Sequence, residues 1–468
     1  MKNGNARKPN SRFALLLLSA SILFTGCAGT DNDAESTGNA TESTAESRDN
    51  ETVDEKAESG SESALQENVA EDEDMRDYSF QGSVSEEVLI NYLSRAVTIS
   101  VEGKTLDKDK TTYIKEFILN TGAKYIARAA TCWNPGISDY DTYPAQKAFI
   151  DDVHESDPDV VFEACVFECI SSQVNDIPIP SWVFEAFGEE PEERNFSFDK
   201  MCFGGKQFLN QWGEGTSVPD ITKLETRMFL YYRACGYIDT GFEAIHMGQV
   251  HLIGRRDSNW KRWTELLAMI RSYASENARR GFVFINAHTH GITGNDGVLL
   301  FDFHMYPSRP MADGGQEAHF PSADNPQYAT FKAGHSDSIY GDSLGGTTYS
   351  GWSCDSLPYL VELDNYGDDT ASLNVPKPND MRVWGMDEIT WYANQPDDYR
   401  AEFLRYAYDW VKTESGGIGS FAMPGERVAR YYSEDGSVTG WRYYAYDKSN
   451  FKSGSGDESV IKEIFAEN

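Results

Sequence analysis

The chain has 468 residues, 40% of them hydrophobic and 13% aromatic, enough for one large buried core or two ordinary ones. Its 75 acidic residues outnumber 41 basic ones, for a formal charge of −34. Charge of that sign repels nucleic acid and anionic lipid, so neither is expected as a partner.

At the N-terminus, Lys2, Arg7, Lys8 and Arg12 precede the apolar run 13–24. That run is too short for a comfortable membrane span and reads as a secretory signal; no later run reaches spanning length. It closes on Phe24-Thr25-Gly26-Cys27, small residues before a cysteine, which resembles the lipobox of bacterial lipoproteins. The resemblance implies a signal peptide over 1–26, a mature chain starting at Cys27 with lipid attached there, and an extracytoplasmic, surface-exposed protein that meets the bacterial membrane only through that lipid. Residues 28–77 carry 17 acidic and 3 basic side chains with almost no large apolar residue. Such a composition cannot bury enough surface to offset its ordering entropy, so 27–77 is expected to be a disordered tether, on the order of 40 Å in span.

From residue 78 to 468 short β-type runs alternate with helical patterns, the signature of βα units around a parallel sheet. The spacing predicts strands at 97–101, 124–130, 159–165, 238–247, 281–290, 298–306, 359–366 and 419–423. Helices are predicted at 111–120, from Pro144 through Val153, from Asp220 to Gly236, and at 260–274 and 398–412. Residues 169–219 form a long connection rich in Trp and Phe, of the kind that overhangs a functional site. Strands five and six are joined by the glycine-rich 291–297 with no room for a helix, and the final stretch with Trp441, Tyr443 and Tyr444 is expected to be an additional hairpin or an end cap. Eight runs fit an α/β fold of the (β/α)8 TIM-like barrel type with long βα loop insertions; an open doubly wound sheet is the alternative. The cysteines Cys132, Cys165, Cys169, Cys202, Cys235 and Cys354 are scattered, fixing no disulfide pairing and no structural zinc.

Side chains two apart on a strand share a face, and polar ones gather toward the C-terminal ends of these runs, where parallel barrels keep their chemistry. Glu243 stands in the fourth run, Asn286, His288 and His290 in the fifth, Asp302 and His304 in the sixth, Glu362 and Asp364 in the seventh. Two carboxyl groups on opposite sides of a barrel mouth suit glycoside hydrolysis, which needs one protonated and one ionised. Glu243 and Glu362 placed so resemble the acid/base and nucleophile of the large clan of barrel glycosidases, although Phe242 stands where that clan has Asn. Asp364 is an equal candidate nucleophile. A carbohydrate is the implied substrate and no cofactor is needed. Expected substrate-binding residues are Arg128, Glu163, His246, Asn286, His288, His290 and His304, with Trp352 and Trp384 as stacking platforms.

Two rival readings remain. His288-Thr289-His290 resembles the His-x-His of amidohydrolase barrels, and with Asp302 and His304 it would make a divalent-metal hydrolase. A noncatalytic glycan or solute receptor on the same scaffold would suit a tethered lipoprotein equally well. No Gly-x-Ser-x-Gly elbow, P-loop or Rossmann fingerprint occurs in its required context.

Overall fold

A computed structural model describes residues 74–101, 108–133, 135–312, 329–330, 343–365, 387–432 and 438–468. Cys27, the tether as far as residue 73, and Trp384 lie outside the described residues. The protein is mixed α/β, organised on a curled sheet of ten strands. These are β1 (Ala96–Ile99), β2 (Tyr125–Ala130), β3 (Val161–Cys165), β4 (Ala244–His246), β5 (Phe284–Ala287), β6 (Phe303–Pro307), β7 (Tyr359–Glu362), β8 (Gly419–Phe421), β9 (Met423–Tyr432) and β10 (Val438–Tyr444). Helices are α1 (Glu86–Ser94), α2 (Lys108–Thr121), α3 (Tyr143–Ser156), α4 (Leu224–Thr240), α5 (Lys261–Asn277), α6 (Glu388–Ala393), α7 (Asp397–Glu414) and α8 (Glu458–Glu467), with shorter turns between them.

The first eight strands pair in chain order and in parallel, β1 to β2 and onward to β8. Only Ala422 separates β8 from β9. Gly419 is registered with Tyr359 of β7, and four residues later Met423 is registered with Val97 of β1. A direct side-chain contact between β2 and β7, described below, likewise requires the sheet to curl. Beyond this turn β9 runs on as a hairpin with β10, antiparallel from Glu426↔Tyr444 to Tyr432↔Val438, the first of the two forms expected of the aromatic C-terminal stretch.

Local chemistry sets the helices between the strands. Ser85 caps α1 by accepting from the Val88 amide, and Pro144 sits in the first turn of α3, where a missing N–H costs nothing. α4 ends at Gly241 with φ 107°, a left-handed conformation that glycine adopts without steric cost. It therefore runs through Ile238, so the predicted fourth strand loses its first three residues to the helix and the next three to the cap and link before Ala244. Trp263, Leu266, Leu267, Ile270 and Ala274 form the buried stripe of α5. No helix lies between β5 and β6, as the short 291–297 link predicts.

Two cores form on opposite faces of the sheet. Val97, Ile126, Phe162, Ile245, Ile285 and Val361 pack outward against the helices. Alternate residues, among them Ala96, Tyr125, Val161, Phe284, Phe303 and Met305, pack with Leu89, Tyr92 and Leu93 of α1. Tyr92 meets Phe284 edge-on at 5.7 Å, so α1 closes the end where the strands begin. The predicted irregular section 169–219 is in fact a packed insertion with a third core. Ile170, Val174, Ile177, Phe184 and Phe196 bury themselves against Met228 and Phe229 of α4. Among the described residues no disulfide joins the six cysteines, and Cys165, Cys169 and Cys235 are buried. Among the described residues no helix is long and apolar enough to cross a membrane.

Candidate functional site

The site assembles at the C-terminal ends of the parallel strands, starting from a kink in β2. The register of β2 on β3 slips between Ile126 and Ala130, and within the slip Arg128 holds φ 60°. A left-handed arginine inside a strand costs about 1–3 kcal/mol, so its surroundings must over-determine it. They do. Its amide donates to Glu163 Oε1 at 3.1 Å, and its guanidinium forks onto Glu362 at the end of β7, with Nε to Oε2 at 2.9 Å and Nη2 to Oε1. Arg427 adds a second cation 3.7 Å from Glu362 Oε2. Glu362 is wholly buried, and although desolvation raises its pKa, the Arg128 charge and its neighbours hold it well below the ordinary carboxylate range.

Two residues on, Asp364 is looser and 15% exposed, with oxygens 3.9 Å from Arg128 Nη2 and 3.5 Å from Arg309 Nη2. Its backbone is fixed by Glu388 of α6, which accepts from the Asp364 amide at 3.0 Å and pairs with Arg309 at 2.6 Å. Three arginines and three carboxylates thus neutralise one another here.

Histidines line the interior beside this cluster. His288 Nε2 lies 3.7 Å from Glu362 Oε1, and its ring stands edge-on to His246 at 4.8 Å. His246 Nδ1 is 2.6 Å from Asn286 Oδ1, while Asn286 Nδ2 donates to Glu163 Oε2 at 2.7 Å. Burial drives the His246 pKa down and the Glu163 pKa up, the latter against three hydrogen-bond donors.

On the far side Glu168 follows β3. Its carboxylate accepts from Gln249 Nε2 at 2.8 Å and from the Gln249 amide at 3.0 Å, and burial pushes its pKa up. Gly248, at φ 62°, makes this possible, because a Cβ there would lie 2.3 Å from Glu168 Oε2. An aromatic wall leads outward: Arg128 sits 5.5 Å above Phe167, Phe167 is 5.1 Å from Trp133, and Trp133 is 5.3 Å from Trp212.

The candidates named from sequence divide sharply. Arg128, Glu163, His246, Asn286, His288, Glu362 and Asp364 converge. Glu243 does not: it precedes β4, at the opposite end of the strands from Glu362, and is saturated by Arg280 at 2.8 Å and Arg279 at 2.6 Å. The reason is positional, since α4 runs to Thr240 and leaves Glu243 just before the first residue of β4. Strand six is read with the wrong parity. Phe303 and Met305 point inward, leaving Asp302 on the outer face, 3.3 Å from Arg271 of α5. His304 bonds to Ser343 Oγ at 2.6 Å, and its pKa is pushed down to about 3 by burial and by His290. His290 itself stands near Tyr306, at 6.1 Å between rings. His288, His290, Asp302 and His304 therefore make no common ligand set, and among the described residues no three His, Cys, Asp or Glu side chains gather as a metal ion requires. Trp352 donates to the Val84 carbonyl at 3.0 Å and packs with the α1 core, far from the strand C-termini.

Sequence reasoning missed Glu168, Phe167, Arg309, Arg427 and Glu388. A signal existed for the first two, which directly follow a strand end; the other three are set by loops and by the hairpin.

No protein-family model and no curated protein matches the sequence. Among solved structures, the acarbose-soaked debranching enzyme of Nostoc punctiforme aligns over 80% of this chain and 82% of its own, at 12% identity and a TM-score of 0.37. A maltogenic alpha-amylase of Thermotoga neapolitana covers 46% and 50%, at 10% identity and 0.29. The alpha-galactosidase of Thermus thermophilus with stachyose covers 43% and 44%, at 11% and 0.27. The chain spans about half the length of the latter two. Likeness this shallow identifies neighbours only, and the functional reading rests on the site.

Proposed function

We propose that residues 78–468 form a closed (β/α)8 barrel that binds and hydrolyses a carbohydrate, carried outside the cytoplasm on a disordered tether and a lipid at Cys27, after removal of a signal peptide over 1–26. Closure is supported by residues 419–426, which bond β7 through one segment and β1 through the next. In a closed eight-stranded ring the third and seventh strands face each other across the mouth.

The observation that carries the activity is that these facing strands bring carboxyl groups of opposed character. Glu168 lies in a buried environment that favours its protonated form, and Glu362 lies among guanidinium groups that favour the anion, with Asp364 beside it 3.5 Å from Arg309. Environments that push two carboxyls apart define an acid and a base or nucleophile. Glu168 is assigned as the proton donor to the leaving oxygen. Asp364, the accessible anion, is assigned as nucleophile or base, and Glu362 holds Arg128 and His288 in place. Trp133, Phe167 and Trp212 supply the apolar wall on which a sugar ring stacks. No cofactor enters this mechanism.

A panel of aryl glycosides and neutral oligosaccharides tests it. Glu168→Gln is expected to lower turnover 10²–10⁴-fold, the usual range for loss of general acid catalysis. Asp364→Ala is expected to be inactive and, if Asp364 is the nucleophile, to regain turnover with azide. Tight binding of a sugar that stays uncut would make the protein a receptor, and activity tracking a stoichiometric metal by elemental analysis would replace the two-carboxylate scheme. Cys27→Ala should release the protein from the membrane fraction; retention there would remove the lipid anchor.

A further inference from the structure

Glu163 accepts from the Tyr125 hydroxyl and from Asn286 Nδ2, both at 2.7 Å. With its amide nitrogen so used, Asn286 can present only Oδ1 to His246, at 2.6 Å from Nδ1. That ring nitrogen must therefore carry the proton, and a neutral imidazole has only one. Nε2 of His246 is left as a bare lone pair, fully buried and with no hydrogen-bond partner among the described residues. A buried acceptor left unsatisfied bears its full desolvation cost, which a ligand donor would relieve. His288 Nε2 makes no hydrogen bond within 3.5 Å, its nearest acceptor being Glu362 Oε1 at 3.7 Å, and its ring stands 4.8 Å from that of His246.

We infer that the two imidazoles form a reader for a single hydroxyl group of a neutral sugar, in which that O–H donates to His246 Nε2 and its oxygen accepts from His288 Nε2. The inference rests on the carbohydrate reading and narrows it. A hydroxyl is both donor and acceptor, which is what this pair demands. A carboxylate or phosphate offers no proton to His246, and the nearby Arg128, Arg309 and Arg427 are already matched by Glu362, Asp364 and Glu388. Acidic sugars are thereby disfavoured at this position.

The test uses the full chain labelled with ¹⁵N-histidine, with His246 assigned through His246→Gln. At pH 7, long-range ¹H–¹⁵N spectra should show the Nδ1–H tautomer, with Nε2 at an unprotonated, pyridine-like shift. Saturation with whichever of maltotetraose and stachyose binds in calorimetry should move that Nε2 resonance upfield. His246→Gln should weaken the same sugar at least tenfold, and matched uronic-acid oligosaccharides should not bind. An Nε2–H or doubly protonated His246 in the free protein overturns the inference outright. Sugar binding that leaves His246 unmoved overturns it while sparing the carbohydrate reading. Absence of binding by either neutral sugar overturns it as stated, and turnover of an aryl glycoside in the same sample then shows whether the carbohydrate reading survives.

Discussion

Glu243 illustrates how one carboxylate can look catalytic and be structural. Wholly buried, it is gripped by Arg280, whose guanidinium also lies 3.7 Å above the Phe80 ring and donates to Tyr92 at 2.8 Å. Removing one partner of a buried ion pair leaves the other charge uncompensated, at a cost of about 3–5 kcal/mol. Glu243→Gln should therefore lower the urea unfolding free energy by about 3 kcal/mol, while the folded fraction keeps its turnover number. A stable, inactive Glu243→Gln protein would return this residue to the mechanism.

At the scale of elements, the site depends on two departures from regular strand geometry. The slip in β2 turns Arg128 inward toward β7, and the left-handed Gly248 just past β4 lets Glu168 lie against the backbone. Any side chain at position 248 meets both an unfavourable φ and the Glu168 carboxylate. Gly248→Ala is expected to cost about 1–3 kcal/mol in stability and to break the Glu168–Gln249 contact. The activity loss should then approach that of Glu168→Gln. Full activity in Gly248→Ala would show that Glu168 need not sit where its partners hold it.

For the whole molecule, four histidines with lowered pKa values, His246 and His304 among them fully buried, shape the response to acid. Burial lowers the pKa of His154, His246, His251 and His304, the last to about 3. Each binds fewer protons folded than unfolded once the pH drops below 6.5, so its contribution to stability falls with falling pH. Glu163 and Glu168, whose pKa values are raised, act in the opposite sense above the ordinary carboxylate range, and the depressed Glu362 gives its full contribution above that range and loses it progressively as the pH falls through and below it. For His304 alone the linkage amounts to about 2 kcal/mol between pH 7 and pH 5. Urea titrations at the two pH values should show the wild type losing about that much more than His304→Asn. Equal losses would mean that His304 charges freely in the fold.

The amino-acid sequence by itself determined the order of strands and helices, the missing helix after β5 and the parity of β3, β5 and β7, whereas Arg128 faces inward only because β2 slips out of strict alternation. Apolar periodicity and glycine placement are local properties that any reader of the chain can see, and they brought Arg128, Glu163, His246, Asn286, His288, Glu362 and Asp364 onto one list. Strand six was misread because its alternation is local but the face it turns inward is not: Phe301, Phe303 and Met305 alternate with Asp302, His304 and Tyr306, and Arg271 on a separate helix holds Asp302 on the outer face. Glu243 was misplaced because the end of α4 set where β4 begins. The pairing of Arg128 with Glu362, 234 positions apart, and the tautomer imposed on His246 belong to the tertiary structure alone. They follow from how far the sheet curls and from which buried donor reaches which acceptor, and no local pattern encodes either.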